Sequence, residues 1–179
     1  MNKDVERILF SEADLKAAAK KVGAQITADY AGKTPLLVGI LKGSVVFMAD
    51  LMREIDLNCD IDFMVAKSYG NAAVSSGNVK IIKDLDTDIT GRDIIIIEDI
   101  LDSARTLYSV RNYLLQKNPA SVKICTLLDK QVERAFDLKA DYKCFDIENE
   151  FVVGYGLDYA EKYRCLPYVG VLKREVYEK

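Results

Sequence analysis

Residues 94–97 are four consecutive isoleucines, and the next nine residues are Glu98-Asp99-Ile100-Leu101-Asp102-Ser103-Ala104-Arg105-Thr106. An apolar run this short, rich in β-branched residues and lacking alternation, is a strand covered on both faces, which means a central strand of a parallel sheet. Leu107, Val110 and Leu114 then recur at helical spacing, and the helix should stop near Asn118-Pro119. Ser121 to Leu128 supplies the next strand. Apolar strands alternating with amphipathic helices define an α/β fold with a central, mainly parallel sheet flanked by helices.

The rest of the chain extends the pattern. Ser11-Glu12-Ala13-Asp14 resembles a capping box, and Leu15, Ala18, Val22, Ile26 and Tyr30 follow at helical spacing until Gly32. Pro35 to Leu41 reads as a strand, Lys42-Gly43-Ser44 as a tight loop and Val45 to Ile55 as a second helix. Cys59 to Lys67 alternates as a strand with Asp60 and Asp62 facing out, and Val79 to Leu85 is its expected hairpin partner. The small, polar residues between them suggest a mobile loop. Beyond Leu128 we expect a turn of helix around Gln131 to Ala135, strands near Tyr142 to Ile147 and Tyr168 to Leu172, and pocket-building loops across 151–159.

Composition removes several chemistries. The chain contains no histidine, so nucleophiles activated by histidine and histidine-ligated metals are excluded. Proton transfer falls to Asp, Glu, Lys, Tyr or Cys. Cys59, Cys125, Cys144 and Cys165 form no CxxC pair and read as small core residues. The net charge of −3 comes without a basic run, which makes nucleic acid an unlikely partner on composition. No stretch has the length of a membrane span and the first residues lack a signal-peptide pattern, so a cytoplasmic protein is expected.

The acids behind the isoleucines need an explanation. In open α/β sheets ligands bind beyond the carboxyl ends of the strands, where the next helix offers unpaired N–H groups. Amides from Asp102 to Thr106, with the hydroxyls of Ser103 and Thr106, could cradle a phosphate monoester. Glu98 and Asp99 would repel one. A ribose fits them better, since vicinal hydroxyls donate to adjacent carboxylates, and a magnesium ion would reduce their repulsion. Solvated strand-end charges, a Ser103 or Asp102 helix cap, and a phosphoacceptor site remain alternatives.

The segment Glu98 to Leu107 resembles the phosphoribosyl-diphosphate signature of the purine phosphoribosyltransferases, the bacterial hypoxanthine-guanine group above all. Three more segments follow the same family: Leu41-Lys42-Gly43-Ser44 is similar to its pyrophosphate loop, Lys67-Ser68-Tyr69-Gly70 to the start of its flexible catalytic loop, and Leu127-Leu128-Asp129-Lys130 to its purine-reading lysine segment. Phe151 to Tyr159 is similar to its base-binding hood.

The resemblance implies a type I phosphoribosyltransferase fold as a single domain over 1–179. Its core spans about 30–135, its small hood comes from the N-terminal segment and about 140–179, and its catalytic loop spans about 68–79. It implies Mg2+-dependent transfer of phosphoribosyl from phosphoribosyl diphosphate to a 6-oxopurine, giving a purine nucleoside monophosphate and pyrophosphate. Asp102 would be the catalytic base, while Glu98, Asp99 and Asp158 would hold the metal and the sugar diphosphate.

Ser103, Ala104, Arg105 and Thr106 would bind the 5′-phosphate, and Leu41, Lys42, Gly43 and Arg164 the pyrophosphate. Lys130, Phe151 and Val152 would bind the base, and Ser68 and Tyr69 would close over it. The family further implies a non-proline cis peptide at Leu41-Lys42 and a homodimer or homotetramer. The chain departs from the family pattern at Ala104, where glycine is usual, and at Ala160 and Cys165, where asparagine is expected. A nucleotide-sensing regulator on the same fold is the alternative function.

Overall fold

The computed structural model describes residues 1–68 and 79–178; of Ser68 it describes the backbone alone, and Tyr69 with most of the expected catalytic loop lies outside the described residues. The described residues form two sheets. The larger contains β2 (Leu36–Ile40), β3 (Asp60–Ser68), β4 (Val79–Lys83), β5 (Asp93–Leu101), β6 (Ser121–Lys130) and β7 (Tyr142–Ile147), in the order β4-β3-β2-β5-β6-β7. Only the β3–β4 hairpin is antiparallel.

The isoleucine run explains the layering. Ile95 and Ile97 face one side, where they join Leu15, Val22 and Ile26 of α1 (Glu12–Asp29) and Phe47, Met48 and Leu51 of α2 (Val45–Arg53). Ile94 and Ile96 face the other, against Leu107, Val110 and Leu114 of α3 (Arg105–Leu115). All four isoleucines are buried, and a two-residue side-chain period divides them between the two cores. The capping box of α1 is present: the Asp14 amide donates to the Ser11 hydroxyl while the Ser11 amide donates to the Asp14 carboxylate.

The second sheet joins β1 (Val5–Phe10), β9 (Val169–Leu172) and β8 (Val152–Val153), all antiparallel, and is followed by the single turn α4 (Arg174–Tyr177). Val5, Val153 and Leu172 form its small core, with Phe151, Tyr159 and Tyr177 packed on it.

Three expectations depart from the structure, and one alternative reading falls with them. Asp62 does not face out; it is buried and accepts the amides of Phe63, Asp86 and Thr87, so it fastens the segment after β4 to the sheet. Residues 131–135 form no helical turn, because Arg134 spends its guanidinium on Asp129 and the carbonyls of Leu138 and Lys130 and folds the segment into an irregular loop. Cys165 is exposed and so departs from the expected core placement, whereas Cys125 is buried in the core and the half-buried Cys59 and Cys144 pack against it. Neither Ser103 nor Asp102 caps α3; Ala104 takes that position.

Candidate active site

Chain order places the site. From β2 the sheet grows outward through β3, and from β5 it grows the opposite way through β6 and β7, so β2 and β5 meet at the topological switch point. The helices that follow them lie on opposite faces, which opens a crevice at the carboxyl ends of these strands. A cavity of about 270 Å3 occupies that place. Leu41, Lys42 and Gly43 line it from the end of β2, Glu98, Asp99, Asp102, Ala104 and Thr106 from the end of β5, and Asp158 and Arg164 from the 154–164 segment. A larger hollow of about 560 Å3, between α1, α2 and residues 164–167, shares only Arg164 with it.

The wall is built by close backbone approach. The peptide between Leu41 and Lys42 is cis. Gly43 lies under the Asp99 carboxylate so closely that a Cβ on Gly43 would come within 1.6 Å of Oδ2. Gly156, at φ +101°, packs on Gly43 as well, where a Cβ would meet the Gly43 carbonyl oxygen at 2.1 Å. Asp99 and the two glycines therefore form a stack with no room for a methyl group.

Glu98 and Asp99 belong to β5 itself, with Glu98 paired to Thr126 of β6. The strand runs four residues beyond the isoleucines because its ladder with β6 continues to Leu101. Burial pushes the Glu98 carboxyl well above the usual carboxylate range, and the neighbouring Asp99 charge pushes it further. Burial also raises Asp99, opposed by its hydrogen bond with Glu98 and by the Arg164 charge. The two carboxyls titrate as a pair, and burial pushes both upward.

Residues 102–104 turn into α3. Asp102 Oδ1 accepts the Ser103 amide at 2.5 Å. Ala104 adopts the left-handed conformation (φ 64°, ψ −3°) and makes no side-chain cap. The first intrahelical bond runs from the Tyr108 amide to the Ala104 carbonyl at 2.8 Å. The amides of Arg105, Thr106 and Leu107 precede it, so they have no acceptor within the helix. An uncapped helix end opening on a cavity is an anion site by geometry and dipole.

Opposite the turn, Arg164 donates to the Gly156 carbonyl at 2.8 Å and pairs with Asp158 at 2.8 Å. Glu161 was not singled out from sequence, yet it pairs with Lys42 at 3.0 Å and with Arg164 at 3.3 Å, and its amide donates to Asp158 Oδ2 at 2.8 Å. Its backbone φ of 62°, between Ala160 at 50° and Tyr163 at 75°, bends the segment back over Lys42. No local sequence signal marks it, since the contact spans 119 positions.

Some expected residues stand outside the cavity. Ser103 and Arg105 belong to the turn and helix but do not line it, and Lys130 ends β6 beside a separate hollow with Asp129 and Arg134. Phe151 packs in the hood, stacked on Tyr177 at 4.7 Å and edge-on to Tyr159, and Val152 is buried in β8. Ser68 ends β3, and Tyr69 lies outside the described residues.

The profile of the phosphoribosyl transferase domain matches residues 6–160. The chain belongs to the phosphoribosyltransferase family. It is 56% identical to a hypoxanthine-guanine phosphoribosyltransferase of Streptococcus thermophilus over all of this chain and 99% of that one. A hypoxanthine phosphoribosyltransferase of Staphylococcus aureus shares its fold with a TM-score of 0.95 at 49% identity, over 98% of this chain and 96% of that one. A hypoxanthine-guanine phosphoribosyltransferase of Bacillus anthracis, solved with a HEPES molecule in its active site, gives 0.91 at 44% identity over 94% and 99%. The type I phosphoribosyltransferase fold thus accounts for the six-stranded sheet and its switch-point cavity.

Proposed function

We propose that this phosphoribosyltransferase works in purine salvage, transferring the 5-phosphoribosyl group of phosphoribosyl diphosphate to N9 of hypoxanthine or guanine. The observation that carries the reading is the uncapped α3 end directly behind the Glu98–Asp99 pair, a phosphate cradle and a sugar-hydroxyl acceptor in one cavity. The regulator alternative gains no support, since the relatives named above are transferases.

Each residue has a task in this reading. The Thr106 and Leu107 amides, with the Thr106 hydroxyl, hold the 5′-phosphate, while Ser103, Ala104 and Arg105 shape the turn. Glu98 and Asp99 take the ribose hydroxyls. As N9 forms its bond to the anomeric carbon, the bond from that carbon to the pyrophosphate oxygen breaks and its electron pair leaves with pyrophosphate. Asp102 accepts the N7 proton, which keeps the purine from accumulating positive charge. Lys42, with the Leu41–Gly43 backbone and Arg164, receives the pyrophosphate.

Lys130 donates to the purine O6, and Phe151 and Val152 form the base side of the hood. Ser68 and Tyr69 close the site against water.

A divalent cation fits the acids present: two adjacent carboxylates stay biased toward protonation although the Arg164 charge partly offsets Asp99, and Mg2+ binds through one or two carboxylates together with substrate phosphates. Glu98, Asp99 and Asp158 are the residues we assign to it. Its contribution when bound is to offset the charge gathering on departing pyrophosphate. Among the described residues no group of three acids is already gathered to hold a metal, and Asp158 is engaged by Arg164 and the Glu161 amide, so its share requires release from Arg164. A homodimer or homotetramer acting in the cytoplasm completes the proposal; no helix among the described residues is long and apolar enough to cross a membrane.

The test is nucleotide formation from phosphoribosyl diphosphate and Mg2+ with hypoxanthine, guanine, adenine or uracil. Product with the 6-oxopurines alone supports the reading, and product with none of them from folded protein overturns it.

A further inference from the structure

The turn that carries the phosphate cradle is held from behind by a segment with no assigned role. Among the described residues, the Ala135 amide is the one donor from outside the turn and its helix that reaches residues 102–104, bonding the Ser103 carbonyl at 3.1 Å. The neighbouring Phe136 ring lies flat on Tyr108, in the first turns of α3, with centroids 4.0 Å apart and planes 1° from parallel. Leu138 is buried in the same core cluster as Leu101, Ala104 and Leu107. Residues 135–138 are thus tied to the turn by the Ala135 bond, to the start of α3 by the Phe136 stack and to the core beneath both by Leu138.

What holds this segment is Arg134. One guanidinium nitrogen donates to the Leu138 carbonyl at 2.8 Å, and the other pairs with the Asp129 carboxylate and reaches the Lys130 carbonyl at 3.5 Å. Asp129 is itself buried and stands beside Leu101 in the β5–β6 ladder, one residue from Asp102. A planar guanidinium satisfies these directions simultaneously, which an ammonium cannot do.

We propose that Arg134 is a positioning residue for the phosphate cradle. It clamps the 131–138 loop between the end of β6, which carries Lys130, and the back of the 102–106 turn, so that the base-reading and phosphate-binding ends of the site move as one piece. The proposal rests on the phosphoribosyl-transfer reading above. The cradle amides bind through direction as much as charge, so a loosened turn loses affinity for the 5′-phosphate while the pyrophosphate groups at Lys42 and Arg164, on the other wall, stay in place.

The experiment is Arg134→Gln, measured in both reaction directions. The KM for phosphoribosyl diphosphate and the Kd for inosine 5′-monophosphate should each rise about tenfold, whereas the KM for pyrophosphate in the reverse reaction should stay within about twofold. Arg134→Lys should recover little, because charge without the fork does not hold three acceptors. A role limited to general stability would reduce the folded fraction and shift no KM selectively. Unchanged nucleotide affinity in folded Arg134→Gln, or an equal rise for pyrophosphate, overturns the proposal.

Should Arg134→Gln fail to fold, Phe136→Leu removes the stack on Tyr108 and leaves Arg134 paired; a nucleotide-selective loss of about threefold supports the clamp, and none overturns it. Wild-type protein that binds inosine 5′-monophosphate but makes no nucleotide contradicts the transfer reading alone, and the affinity comparison still decides the clamp.

Discussion

Gly43→Ala should abolish most activity while leaving the protein folded, and the structure sets the scale. The new Cβ would lie 1.6 Å from Asp99 Oδ2 and 2.5 Å from Cγ, where ordinary contact begins near 3.4 Å. Either the carboxylate retreats by about 1.8 Å or the Leu41–Gly43 backbone, on whose Gly43 carbonyl Gly156 is closely packed, shifts and carries the cavity wall with it. Displacement of a reacting or binding group by about 1 Å costs on the order of a hundredfold in rate, so a fall of at least that size in kcat/KM is expected. Overpacking of this kind destabilises by about 1–3 kcal/mol.

The control is Gly39→Ala on β2, whose Cβ would meet the Met48 sulfur at 2.5 Å in the core away from the acids. It should lose similar stability and keep its turnover. Steady-state kinetics with thermal melting on both variants separates the cases. Gly43→Ala with kcat/KM within about threefold of wild type would refute the claim that Asp99 must occupy this place.

Asp102→Asn should lower kcat by about a hundredfold or more with the Kd for phosphoribosyl diphosphate little changed, and an unaltered kcat would exclude Asp102 as the base. Glu161→Gln frees Lys42 and Arg164 from a competing carboxylate; both pairs are exposed, so the KM for pyrophosphate in the reverse reaction should fall by no more than about fivefold, and a rise would contradict the competition.

Glu98 has a folded pKa above its unfolded value, so its charge destabilises the fold once pH exceeds the ordinary carboxylate range, and that loss is relieved as pH falls back through the raised value. Metal-free Glu98→Gln should therefore melt at or above wild type at pH 8, by up to about 1 kcal/mol or 2–4 °C, with the gap closing toward pH 5. A gap that widens on acidification would reverse the assigned direction. Ala104→Gly relieves a left-handed alanine worth about 1–2 kcal/mol but adds about 0.4–1 kcal/mol of unfolded-state entropy, so the melting temperature should move little. Its affinity for inosine 5′-monophosphate should change little, because Ala104 is buried in the core cluster with Leu101, Leu107 and Leu138, and a clear rise would show that the methyl crowds the phosphate.

The isoleucine run was legible because its meaning is local: a short apolar strand covered twice fixes a parallel centre, and the acids after it fall at the ligand-binding end. Capping at Ser11 and the stripe on α3 are equally local. The second sheet was less readable, because β1 contains Glu6 and Arg7 on exposed faces and gains its strand character only by pairing with β9, far along the chain, as in Val5 with Leu172. Asp62 carries no mark in the sequence of the three amides that bury it, and the Arg134 loop reads as helix until Asp129 is beside it.

Two departures from the family pattern did carry structural information. Ala104 and Ala160, standing where glycine and asparagine are usual, both have positive φ, the conformation those residues adopt at least cost.

The account rests most heavily on the α3 end being a phosphate cradle, and calorimetry of inosine 5′-monophosphate against inosine tests it directly. We predict that the nucleotide binds at least about a hundredfold tighter than the nucleoside, from charge-assisted bonds to the uncapped amides. Equal affinities would mean that the turn after β5 does not hold a phosphate.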